Sequence, residues 1–163
     1  MPMPSNPRRD ALGGIIIESR LGAPPGRQKY EREFFPGVEV GLSGWERAHS
    51  QGSGTGHESP FAIRYAPSEV NQHFQRLGIE RFLRELFQQK GSNVELMLTT
   101  VTYTHPGTLR LKEIQYRVTA VRGAQRHALF EAAIEVENKR QQPRVTVHAQ
   151  ELLPRHSWAQ FLS

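Results

Sequence analysis

The stretch 127-HALFEAAIEVEN-138 decides how the rest of the chain is read. Phe130, Ala132, Ile134 and Val136 recur with a period of two, which places them on one face of a β-strand. Glu131, Glu135 and Glu137 fall on the other face. Upstream, 122-RGAQR-126 is a turn and 109-LRLKEIQYRVTAV-121 a second strand. The turn 105-HPGT-108 separates that strand from one in which Val94, Leu96 and Leu98 alternate with Glu95, Met97 and Thr99. Downstream, 139-KRQQP-143 opens a last strand, 144-RVTVHA-149. Four strands joined by short turns imply an antiparallel meander.

Before the meander the period changes. Val70, Phe74, Leu77, Ile79, Phe82, Leu83, Leu86 and Phe87 follow helical spacing up to Gly91. Ser68 stands where an N-cap belongs, and Glu69 is favourable in a first turn. Gly78 is expected to bend the helix. The expected fold is α+β: an N-terminal loop and strand, a bent helix over about 68–90, and a four-stranded antiparallel meander forming a curved sheet. Residues 1–37, rich in Pro, Gly and Arg, read as a leader or linker, partly disordered or docked through Ile15, Ile16 and Ile17 as one short strand. Residues 38–163 read as a single domain. The tail 150-QELLPRHSWAQFLS-163 adds a short helix or simply packs Trp158 and Phe161.

Composition narrows the chemistry. The 163 residues carry a formal net charge of +5, which favours polyanions or an acidic protein as partners. There is no cysteine, so disulfides, Cys-based zinc sites and thiol nucleophiles are excluded. No apolar run approaches the roughly 18 residues of a membrane span, and no membrane partner is expected. The start, MPMPSNPRRDALGG, lacks the apolar core of a signal peptide, so export would depend on a carrier. Asp10 is the single aspartate. A Mg²⁺ site would have to be built from Glu alone, and no metal site is expected.

The polar run 45-WERAHSQGSGTGHESPFAIRYAPSEVNQ-72 reads as one wall of a pocket. His49 follows Arg47 and precedes small residues, among them Ser50, Gly52 and Thr55, that let a ligand approach the backbone. Tyr65 precedes the helix, where a ring can stack on a flat ligand. His57 and Glu58 are weaker candidates, and His73 and His148 carry no signal of their own. The row Glu131, Glu135 and Glu137 would form the opposite wall; the alternative is a solvated face paired with Arg117, Lys112 or Arg144. The remaining basic residues are spread widely with little aromatic interleaving, which suggests a diffuse field for a phosphate backbone rather than base stacking.

GWERAHSQGSGTGHESPFAIRYAPSEVNQ, THPGTLRLKEIQYRV and FEAAIEVENKRQQPRV together resemble the type 4 toxin domain of bacterial polymorphic toxins, over roughly residues 42–150. The resemblance implies a C-terminal toxin domain of a secreted Rhs-type carrier, delivered into the target-cell cytoplasm. It implies a free toxin that is monomeric and a cognate immunity protein, which charge suggests is acidic. It leaves the reaction open. The leading expectation is an ADP-ribosyltransferase of the His-Tyr-Glu kind, using NAD to modify RNA or a nucleic-acid-associated target. His49, Tyr65, Arg47, Ser50, Gly52 and Thr55 would then hold NAD, with Glu135, Glu137, Glu131 and His49 catalytic. Glu135-Val-Glu137 is similar to the Glu-x-Glu pair of such enzymes, but only 15 residues separate His49 from Tyr65, too few for the helix many of them carry there. The alternative is a metal-independent ribonuclease of the barnase-like type, in which a helix precedes an antiparallel meander. A second alternative is a non-enzymatic polyanion-binding module.

Overall fold

The computed structural model describes residues 8–21, 44–48 and 64–163. Among these, β1 (Arg8–Arg9), β2 (Ile15–Arg20), β5 (Glu95–Thr104), β6 (Leu111–Arg122), β7 (Gln125–Val136) and β8 (Val145–Glu151) form one sheet in the order β1-β2-β5-β6-β7-β8. Every neighbouring pair is antiparallel. β3 (Trp45–Ala48) and β4 (Arg64–Pro67) form a separate two-stranded ribbon. The class is α+β as expected, with β5–β8 as the meander.

The main sheet has six strands, not four. Ile15–Arg20 docks on β5 because that edge would otherwise leave a row of backbone donors and acceptors unpaired. Asp10 ties the β1–β2 turn down. Its Oδ1 accepts the Leu12 and Gly14 amides at 2.9 and 2.7 Å, and its Oδ2 accepts the Tyr103 hydroxyl at 2.5 Å. That carboxylate hydrogen bond pushes the Tyr103 phenol up to about 12, with burial adding to the shift. Gly14 lies under the ring, and a Cβ there would meet Tyr103 Cε1 at 2.6 Å. The ends of the polar run also depart from expectation, since Trp45–Ala48 and Arg64–Pro67 pair in register as strands. The segment 38-VEVGL-42 and the run GSGTG lie outside the described residues.

The helix changes winding along its length. Val70–Ile79 is wound in wide, five-residue turns, and the Glu80 amide still donates to the Gln75 carbonyl before ordinary α-helix begins as α1 (Glu80–Gln89). Gly78 lies in the wide section, where a Cβ would press to 3.3 Å on the His73 carbonyl. Ser68 does not cap the helix with its side chain; its amide donates to the Gly44 carbonyl at 3.0 Å, which fixes the corner between β4 and the helix. A 3₁₀ turn and α2 (Trp158–Leu162) close the chain.

The helix covers one face of the sheet. Val70, Ile79, Leu83 and Leu86 share a core with Leu96, Leu98, Ile114, Val118, Leu129, Ile134 and Val136, closed at one end by Trp158 and Leu162. Phe82 packs on Phe130 at 4.9 Å between ring centroids. Leu129 and Phe130 are both buried although adjacent, because a bulge opposite Val118/Thr119 makes Leu129 an extra residue. Within this core the Gln75 amide donates to the Tyr116 hydroxyl at 2.7 Å. Burial pushes that phenol up strongly.

Candidate functional site

The face of the sheet away from the helix is polar, and its geometry follows from strand register. Directly paired residues share a face. One rung therefore runs Thr99–Arg117–Glu131–Gln150, the next Val101–Gln115–Ala133–His148, and a third Tyr103–Glu113–Glu135–Thr146. Ala133 is the small residue at the centre. Around it a concave groove of about 730 Å³ is lined by Val101, Gln115, Arg117, Glu131, His148 and Gln150, among others. Glu131 and Glu135 flank Ala133 on the same strand, with Cα atoms about 13 Å apart at the usual β rise.

Each carboxylate expected from the sequence is partnered. Glu131 Oε1 accepts from Arg117 Nε at 2.9 Å and from Arg117 Nη2. His148 Nε2 lies 3.1 Å from Glu135 Oε2. Glu137 Oε1 accepts the Arg144 amide at 3.2 Å. The pairing of Glu131 with Arg117 is the one a solvated face would show. The His148–Glu135 pair is different in kind, because a carboxylate on one ring nitrogen fixes the tautomer and leaves the other nitrogen, Nδ1, for a ligand.

A second cleft of about 330 Å³ adjoins the groove through Glu135 and is lined by His105, Lys112, Glu113, Glu137, Arg144 and Thr146, among others. His105 is 7% exposed, and its Nε2 lies 2.8 Å from the Val136 carbonyl oxygen. Desolvation holds its pKa below the usual imidazole value, the Val136 contact opposes this, and Arg110 and Lys112 reinforce it. A neutral ring beside a carbonyl must carry its hydrogen on Nε2, so Nδ1 presents a lone pair.

The other expected site residues fall elsewhere. Tyr65 pairs with Arg47 in the β3–β4 ribbon, and its amide donates to the Leu109 carbonyl at 2.9 Å. That ribbon packs against the helix, since Ala48 and Ala66 join the same core as Val70 and Leu83. Glu131 and Glu135 project from the opposite face of the sheet. The structure therefore brings Glu131, Arg117 and His148 to one groove, with Glu135 beside it on His148, and does not bring Tyr65 there. His49, Ser50, Gly52, Thr55, His57 and Glu58 lie outside the described residues, as does the side chain of Arg47. His148 and His105 went unsingled in the sequence. The signal was the register: knowing that Ala133 faces His148 requires the exact length of the 139–144 turn.

A family model described as bacterial toxin 4 matches residues 42–142. The chain belongs to that family. The matched stretch runs from just before β3 to the β7–β8 turn, so this toxin domain carries Arg117, Glu131, Glu135, Glu113 and His105 inside it and His148 just beyond. No curated protein and no solved structure matches the chain. Among the described residues no helix is long and apolar enough to cross a membrane, and no group of three or more His, Asp or Glu side chains is placed to share a metal ion.

Proposed function

We propose that this toxin domain is a ribonuclease that cleaves RNA by internal transesterification, with its own side chains supplying base, acid and cation. The observation that carries the reading is the pairing of His148 with Glu135 beside Arg117 with Glu131, across a groove floored by Ala133. Diagonal neighbours on adjacent strands are about 7–8 Å apart at Cα, which suits two groups acting on either side of one phosphorus. Glu131, hydrogen-bonded by Arg117, takes the proton of the ribose 2′-hydroxyl. The 2′-oxygen attacks phosphorus and the P–O5′ bond breaks. Arg117 stabilises the charge that builds on the phosphoryl oxygens. His148, entering the step as the imidazolium with its Nε2–H on Glu135, gives its Nδ1 proton to the departing 5′-oxygen and is left neutral. The products are a 2′,3′-cyclic phosphate and a 5′-hydroxyl. The formal charge of +5 favours approach of a phosphate backbone, and toxicity from RNA cleavage accords with the family.

The test is incubation of the domain with end-labelled single-stranded RNA in EDTA and without NAD. Cleavage is expected, with His148→Ala and Glu131→Gln each slowing it by about 10²–10⁴-fold. Cleavage that both variants retain in full would reject these roles.

The NAD-dependent ADP-ribosyltransferase reading keeps one supporting observation. Tyr65 bridges to Arg110, the Arg110 carbonyl accepts the His105 amide, and His105 reaches Val136 at the end of β7, next to Glu137. Tyr65 and Glu137 are thus linked through that end of the sheet. Transfer of label from NAD to RNA or protein, lost in Glu137→Ala, would favour it. An acidic cognate immunity protein fits either reaction, and it would act by covering the groove.

A further inference from the structure

Resting on the ribonuclease reading, we infer that the cleft of His105, Glu113 and Lys112 is a guanine subsite for the nucleotide on the 3′ side of the scissile bond.

The acceptors point to a donor-bearing ligand. Glu113 lies directly opposite Glu135 across β6 and β7, an arrangement of like charges that costs stability in an antiparallel sheet. Glu135 is taken by His148, whereas among the described residues Glu113 receives only the Gln115 side-chain amide, at 3.1 Å. No cation is paired with Glu113 among the described residues. Beside it stands His105, nine-tenths buried, whose Nδ1 lone pair has no hydrogen-bond partner among the described residues. His105 lines the cleft, so this acceptor, held in place by a largely buried ring, suits a ligand that supplies a donor.

Guanine matches this set. Its N1–H and N2–H₂ present adjacent donors to a carboxylate, and N2 has a second hydrogen for another acceptor. Its O6 and N7 accept from cations, and Lys112 and Arg144 line the same cleft. Adenine would set the N1 lone pair against the Glu113 carboxylate, and the pyrimidines offer fewer donors. Tyr103 is the register partner of Glu113, with its ring laid over Gly14 and its hydroxyl clamped by Asp10.

The side of the scissile bond follows from the proton transfers. His148 serves the leaving 5′-oxygen, and the cleft adjoins His148 through Glu135, whereas Glu131 and the attacking 2′-hydroxyl lie on the far side of Ala133. The guanosine is therefore the one that leaves with a free 5′-hydroxyl.

Two measurements test this separately from the cleavage reaction. First, sequencing of fragments from a mixed-sequence RNA is expected to show guanosine at the new 5′ ends. Glu113→Gln should lower the preference for guanosine over adenosine by about 10- to 100-fold, the discrimination of one bidentate contact. Fragments with random 5′ bases would overturn the subsite and leave the ribonuclease reading standing. Second, binding of 5′-GMP and 5′-AMP is followed by NMR on the intact domain. Preferential 5′-GMP binding that Glu113→Gln abolishes supports the subsite even if RNA stays intact. Equal binding of the two nucleotides overturns it.

Discussion

Arg117 shows how little the type of a residue says about its role. In the sequence it reads as a partner that would solvate the glutamate row; in the sheet it grips Glu131 at the rim of the groove. Replacing it with Ala should slow RNA cleavage by about 10²–10³-fold, the usual cost of one transition-state donor, with little change in thermal stability because the pair is exposed. Steady-state kinetics beside a melting curve would separate the two effects. His105 makes the opposite prediction. Its folded pKa lies below its unfolded value, so the unfolded chain binds the proton first as pH falls. The stability it contributes is full above about pH 6.5 and is lost on acidification below that value. Melting temperatures from pH 7.5 to 5.5 should fall in the parent, and that component of the slope should vanish in His105→Gln. An unchanged slope would mean the imidazole titrates freely.

At the scale of elements, alternation carried most of the fold. Val94, Leu96 and Leu98, and then Phe130 to Val136, announced the meander because one face of each strand must be buried and the other need not be. The helix was legible for the same reason. What could not be read was where edges find partners. Ile15–Ile17 has no preference for β5 in its own sequence; the pairing depends on a free edge and on Asp10 reaching Tyr103, far along the chain. The site was half legible. Glu131 and Glu135 stood out as a row, but their partners came from β6 and β8 through register, and a turn one residue longer would have moved His148 to the other face. The N-terminal strands offer their own test. Asp10→Asn should bring the Tyr103 phenol back from about 12 towards its ordinary 10.0, visible in an ultraviolet titration. Because that phenol is raised in the folded state, its contribution to stability is present below pH 10.0 and is lost as pH rises through about 12. Gly14→Ala drives a Cβ against Tyr103, Val101 and Asp10, and should destabilise the domain by about 1–3 kcal/mol through overpacking. Hydrogen exchange should locate the loss in β1 and β2.

For the molecule as a whole, one layer of helix supports one layer of sheet among the described residues, and the proposed chemistry sits on the sheet face away from the helix. The core side of that arrangement tolerates little change. Leu83→Ala, in a side chain only 1% exposed, should cost about 2–5 kcal/mol by denaturant titration without altering the groove. The positive charge acts at longer range. Binding of a non-cleavable single-stranded RNA should weaken about 20-fold between 50 and 200 mM salt if roughly three phosphates are neutralised. The most direct test of the account is the chemistry of the cut ends, read by mass spectrometry after RNA is treated with the domain in EDTA and without NAD. Attack by the 2′-hydroxyl predicts 2′,3′-cyclic phosphates and 5′-hydroxyls, both lost in His148→Ala. Fragments ending in 3′-hydroxyl and 5′-phosphate, or intact RNA that gains ADP-ribose once NAD is added, would contradict it.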